Sequence, residues 1–185
     1  MSITKLTTNG VNGTKYDTVS ADNYYMEPIA TTLLGSSQAT ISFTNIPQNY
    51  KHLQIRGIAA GVNNTFADIT FNSDTGNNYA QHDIYGDGAA AGAESGTSRA
   101  NIPATALPNV TSVFNAFVID ILDYANVYKF KTARILQGRD TNGGGVIYFM
   151  SGLWQNTGAI TSITITSRSG NIAVNSRFSL YGIRG

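Results

Sequence analysis

Val146-Ile147-Tyr148-Phe149-Met150-Ser151-Gly152-Leu153-Trp154 carries the only tryptophan of the chain, and it is long and apolar enough to read as a strand covered on both faces. Downstream the pattern turns to alternation. Ile163 and Ile165 alternate with Thr164 and Thr166, Ile172 and Val174 follow, and Phe178 and Leu180 flank Ser179. A period of two sends successive side chains to opposite faces, so these segments read as half-buried strands. Ile183 lies two residues before the last, Gly185, which predicts a final strand set inside the sheet.

Upstream of that stretch the same signals recur. Pro28 to Leu34 reads as a strand broken by Gly35-Ser36-Ser37, and Ile41 and Phe43 alternate with Ser42 and Thr44. In Lys51-His52-Leu53-Gln54-Ile55-Arg56 the split is clean, with Leu53 and Ile55 on one face and His52, Gln54 and Arg56 on the other. Ile69 and Phe71 mark a strand that ends in the turn cluster Asn72 to Asn78, and Tyr79 to Tyr85 resumes extended structure. Gly86 to Gly96, built of Ala, Gly, Glu and Ser, reads as an exposed loop. Pro103 and Pro108 exclude a helix across 101 to 109. Val113 to Leu122 puts Phe117, Ile119 and Ile121 on one side and Val118 on the other, and Tyr128 to Leu136 runs on to a Gly-rich turn at Gly138 to Gly145. About ten strands separated by turn signals, without a helix, describe a β-sandwich or barrel.

Composition agrees. Ser, Thr and Asn supply 54 of 185 residues and Gly another 19, all favouring turns and strand surfaces over helix interiors. With no cysteine, a disulfide framework, a thiol nucleophile and a thiolate-bound zinc are excluded, so packing alone must hold the core. A net charge of +1 without a basic run argues against nucleic acid as a partner. No segment reaches the eighteen or so apolar residues of a membrane span, and no signal-peptide core follows Met1, so a soluble product made in the cytoplasm is expected. Residues 1–26 hold Asn9-Gly10 and Asn12-Gly13 among polar residues and read as an extended arm ordered only against a partner or a neighbouring subunit, or equally as a floppy terminus, with residues 27–185 as the sandwich domain.

Few residues suggest chemistry. His52 and His82 are the only histidines, and His82-Asp83 could form half of an acid-base pair or metal site, but a metal site recruits three or more ligands and surface positions explain both. Asp120 and Asp123 are the carboxylates to weigh for glycoside cleavage, although Asp120 sits on a strand and Asp123 opens a turn. Asp74 with Asn77 and Asn78 offers oxygen ligands of the kind a calcium ion takes, but one acidic charge is thin for that and a capped turn is the favoured reading. Tyr24, Tyr25, Tyr79, Tyr85, Tyr124 and Tyr128 could stack on sugars or pack between subunits, and packing is the favoured reading for Tyr124 and Tyr128. No catalytic, cofactor or metal residue is assigned.

Several phrases are familiar as a set: Phe43-Thr44-Asn45-Ile46-Pro47-Gln48-Asn49-Tyr50-Lys51-His52-Leu53-Gln54-Ile55-Arg56, Phe71-Asn72-Ser73-Asp74-Thr75-Gly76-Asn77-Asn78-Tyr79, Ser151-Gly152-Leu153-Trp154-Gln155-Asn156-Thr157-Gly158-Ala159-Ile160-Thr161-Ser162-Ile163 and Phe178-Ser179-Leu180-Tyr181-Gly182-Ile183. Over residues 27–185 the chain resembles a family of tailed-bacteriophage virion proteins, common in marine and cyanobacterial phages and found alone or as the C-terminal part of tail-fibre chains. The resemblance implies an all-β, jelly-roll-like antiparallel sandwich, usually trimeric on the particle, and no catalytic motif; the extended N-terminal arm is read from the residues themselves. The expected role is a non-enzymatic decoration or head-fibre protein, bound through residues 1–26 to the major capsid protein or another virion protein. The alternative is a tail-fibre tip that meets host glycans through Asn72 to Asn78 and Gly86 to Gly96. A polysaccharide-degrading enzyme is the third and weakest reading.

Overall fold

The computed structural model describes residues 25–109 and 112–185, so the expected arm lies outside the described residues apart from its last two positions. Twelve strands follow one another: β1 (Met26–Leu33), β2 (Thr40–Phe43), β3 (His52–Ala59), β4 (Thr65–Phe71), β5 (Tyr79–Gly86), β6 (Ala91–Arg99), β7 (Ile102–Leu107), β8 (Asn115–Leu122), β9 (Lys131–Asp140), β10 (Gly145–Trp154), β11 (Ile163–Ser167) and β12 (Arg177–Ile183). They form two antiparallel sheets, an eight-stranded one in the order β1-β12-β3-β8-β9-β10-β5-β6 and a four-stranded one in the order β2-β11-β4-β7.

The pairing is that of a folded double ribbon. β1 pairs with β12, β2 with β11, β3 with β8 and β4 with β7, and this first-with-last nesting split over two sheets is the jelly roll. Two hairpins are inserted into it, β5–β6 between β4 and β7 and β9–β10 between β8 and β11. Through β5–β10 pairing they extend the large sheet by four strands. As expected of the strand that holds Ile183, β12 lies inside that sheet, between β1 and β3.

The core lies between the sheets. Leu53, Ile55, Phe117, Ile119, Ile121, Ile135, Met150, Phe178 and Leu180 of the large sheet meet Ile41, Phe43, Ile69, Phe71, Ile163 and Ile165 of the small one. β7 passes beneath β3, β8, β9, β10 and β5 and is buried along its whole length. It comes so close to β10 that a Cβ on Gly152 would stand 2.6 Å from Ile102 Cγ2. Trp154 fills the end of the core against Phe71 and Tyr79, with ring centroids 5.6 and 6.3 Å away.

Three expectations are corrected, and the stretch 101 to 109, expected only not to be helical, gains a strand. Gly86 to Gly96 is not a loop: only Asp87 to Ala90 turn, and β6 pairs along β5 as an edge strand whose Ala, Gly and Ser face solvent and so leave no apolar period. β7 is a strand through Pro103, which sits at a register shift on a sheet edge where its missing N–H costs no ladder bond. Val174 belongs to no strand, and Ile172 makes only isolated bridges to Gln38 and Gly61. The Val146–Trp154 run is covered on one face only, since Met150, Gly152 and Trp154 are buried while Ile147 and Phe149 are exposed.

Candidate interaction surface

Register decides what the outer face of the large sheet displays. Residues facing away from the core line up in rows across the strands, and one row reads Arg56, Val118, Leu136, Phe149, Ile84, Ala93 from β3 to β6. Five strands in succession therefore place an apolar side chain at the same height. The next row is Ile58, Ala116, Gly138, Ile147, Gly86, Ala91, where bulky and small residues alternate and leave shallow troughs beside Ile147. On the other side the face becomes polar, with Gln54, Asp120, Arg134, Ser151, His82 and Ser95 in one row. There Gln54 Nε2 donates to Asp120 at 2.6 Å and Arg56 Nε donates to Gln54 Oε1 at 2.6 Å.

Exposure within the stripe is 59 % for Ile84, 57 % for Ile147, 51 % for Phe149, 49 % for Leu136 and 38 % for Ile58. Single exposed apolar residues are ordinary, but a contiguous patch of this kind marks an interaction site. Exposed apolar side chains also gather in the loop before β9, at Val127, Tyr128 and Phe130.

The residues weighed for chemistry are not brought together in one site. His82 points outward and is exposed, while Asp83 points inward and is buried, so the two do not form one site. Burial pushes the Asp83 carboxyl up, and Glu94, opposite it on β6, adds to the shift. His52 Nδ1 accepts the Asp123 backbone N–H at 2.9 Å. Asp123 is paired with Lys129 and Lys51, and the Lys129 hydrogen bond leads in holding its carboxyl below the ordinary range. Asp120 faces outward on β8, so the two carboxylates stand in different surroundings. Among the described residues no three His, Asp or Glu side chains converge to hold a metal ion.

The Asp74 loop is a structural pin. Asn72 and Ser73 take left-handed φ values of 51° and 56° while Asp74 N–H donates to Phe71 O at 2.9 Å, a turn of the mirror-image type that hairpins favour. It sets Asp74 beneath the core edge, where its carboxylate accepts from Trp154 Nε1 at 2.8 Å, Asn78 Nδ2 at 2.9 Å and Gly76 N–H at 2.9 Å. These donors, the indole first, hold the Asp74 carboxyl below its usual value. Lys131 is a second pin, its buried ammonium donating to the carbonyls of Asn126, Lys129 and Thr157.

The tyrosines divide. Tyr79 is buried, burial pushes its hydroxyl up to about 12, and it accepts the Phe71 N–H at 3.0 Å. Tyr124 is buried within its own chain and donates to Pro47 O. Tyr85 packs against Tyr148 in a tilted arrangement, ring centroids 5.4 Å apart. Tyr25 is exposed, and Tyr128, read as packing between subunits, is 89 % exposed on the single chain; Tyr24 lies outside the described residues. Compared with protein-family models, curated proteins and solved structures, the chain finds no match. Among the described residues, no helix is long and apolar enough to cross a membrane.

The sequence reading missed the stripe as a surface. Its signal was present in Val146 to Trp154, apolar at odd and even positions alike, but periodicity says only that both faces want cover and not what covers them.

Proposed function

We propose that this chain is a non-enzymatic structural protein of a tailed-phage virion, a jelly-roll sandwich that decorates the capsid and is attached through residues 1–26. The observation that supports an assembly role is the apolar stripe Val118, Leu136, Phe149, Ile84, Ala93 on the outer face of the large sheet, which the fold of one chain does not need. The carboxylates and histidines that could have served catalysis are spent on turns and pins or stand apart. The phrases that carry the resemblance include the Asp74 loop, Trp154 and the β3 and β12 strands, all of which determine the sandwich. Counting copies per purified virion by quantitative mass spectrometry against the major capsid protein tests the reading. Equimolar copies, or a simple fraction of that number, are expected; absence from particles would end it.

A receptor-binding module at a tail tip is the second reading, favoured by the exposed Val127, Tyr128 and Phe130 beside one another in the β8–β9 loop. A handful to a few dozen copies per particle, with host adsorption lost on Tyr128→Ala, would favour it over decoration.

A further inference from the structure

We propose that the inner side of the β5–β6 hairpin, at the edge of the large sheet, is a saccharide-binding site built from Gln81, Asp83, Glu94 and Arg99. The inference goes beyond the assembly reading and does not depend on it. Register puts Asp83 of β5 directly opposite Glu94 of β6, and Gln81 opposite Gly96. Gln81 and Asp83 form the floor, at 6 % and 7 % exposure, while Glu94 is exposed. Two carboxyl groups facing each other across a strand pair weaken a sheet, so the fold alone does not account for them. A bulge brings in Arg99. The two steps from Tyr79 to Gln81 on β5 are matched by three from Arg99 to Gly96 on β6, with Ser98 at a left-handed φ of 52°. Without the extra residue Ser98 would stand opposite Tyr79. With it Arg99 does, and its side chain folds back over Gly96, where a Cβ would lie 2.8 Å from Arg99 Cδ. Bulges re-aim side chains in this way beside functional sites. Two residues to the other side of Glu94, Tyr85 lies over Gly92, where a Cβ would come within 2.5 Å of the tyrosine hydroxyl, and packs against Tyr148. The two glycines thus admit a guanidinium on one side of Glu94 and an aromatic ring on the other.

Hydrogen bonding selects the ligand. Gln81 Oε1, Asp83 Oδ1 and Arg99 Nε are buried and have no hydrogen-bond partner among the described residues. Gln81 Nε2 already donates to Asp83 Oδ2 at 3.2 Å, so it is the second oxygen of each side chain that is left to a ligand. Polar atoms are costly to bury unmet, and these three define what completes the site. Two acceptors and one donor together suit hydroxyl groups, each of which donates to an oxygen and accepts from the guanidinium. A metal ion is disfavoured by the positive charge of Arg99 beside Asp83, and two carboxylates supply too few ligands for one. An anion is disfavoured by Asp83 and Glu94. A neutral, hydroxyl-rich ligand remains, and the Tyr85 and Tyr148 rings offer the C–H face of a pyranose a surface to stack on. Glu94 accepts from a further hydroxyl at the mouth, which opens at the sheet edge past half-buried Gly92 and Arg99.

Binding of the isolated full chain to an array of purified bacterial O-polysaccharides and capsular polysaccharides tests the site, with the best-retained one carried on to isothermal titration. At least one is expected to be retained. Arg99→Met, which removes the donor and keeps the length, and Glu94→Ala are each expected to weaken that binding by roughly tenfold or more, as loss of a hydrogen bond to a charged group does. Melting curves check that both variants fold, and Glu94 is exposed, so its variant keeps the test open if Arg99→Met disturbs the bulge. Tyr128→Ala, in the exposed β8–β9 loop, is expected to leave binding unchanged. No polysaccharide retained, retention indifferent to both Arg99→Met and Glu94→Ala, or retention lost with Tyr128→Ala alone would each overturn the proposal, the first by showing that water alone meets the three buried atoms. The measurement uses isolated protein, so its failure leaves the virion reading standing, and absence from virions leaves the saccharide site standing.

Discussion

The two outer faces of this sandwich obey the same alternation and end in opposite chemistry. On the small sheet Thr40 pairs with Thr166 and Ser42 with Thr164 through their hydroxyls at 3.2 Å. Beside them Arg168 grips Asp68 by several hydrogen bonds of 2.6 to 2.9 Å and lies over Phe66. On the large sheet the equivalent positions are Val118, Leu136, Phe149 and Ile84. Both sheets pack on one core, so stability does not explain the difference. Water covers the first face; protein is the fitting cover for the second. The inserted hairpins β5–β6 and β9–β10 supply most of the apolar face.

β10 has both kinds of side chain on one strand, and substitutions along it separate folding from association. Trp154→Ala, on the inner face, is expected to cost 3–5 kcal/mol by urea unfolding, roughly the price of removing a buried aromatic. If it cost no more than an outer-face change, the division into inner and outer faces would be wrong. Gly152→Val drives a side chain into Ile102 and is expected to lose about 1–3 kcal/mol, again without altering the outer face.

Acid sharpens the inner side of the comparison. The folded pKa of Asp74 is depressed, so its contribution is complete above the unfolded carboxylate pKa and is lost as pH falls through the lower folded value. Trp154, the sole tryptophan, is expected to shift its emission to the red over that range, and Asp74→Asn to remove the transition; an identical titration in the variant would assign it elsewhere. Thr164→Ala on the small sheet should have the smallest effect, within about 0.5 kcal/mol and with no change in copies per virion. A loss of assembly there would erase the contrast between the faces.

Much of the sandwich was legible in residue patterns. Leu53 and Ile55 against Gln54 and Arg56, and Ile163 and Ile165 against Thr164 and Thr166, point as their alternation says. β6 was not legible because an edge strand of Ala, Gly and Ser is held by backbone pairing, which leaves no trace in hydropathy. β7 was hidden by Pro103, a breaker in a central strand but harmless at the bulged edge it occupies. Tyr124 read as packing between subunits, yet it is buried within its own chain. The outer stripe was half legible: the run through Phe149 and Trp154 announced two covered faces, whereas its alignment with Leu136 and Ile84 depends on register, which one strand alone does not specify.

Hydroxyl-radical footprinting of the isolated chain and of purified virions, read by mass spectrometry, tests the contrast most directly. Phe149 and Leu136 are expected to become protected in the particle while exposed Phe130 and Tyr128 stay reactive. Phe149 and Leu136 oxidised to the same extent in both would show that water, not protein, covers the large sheet.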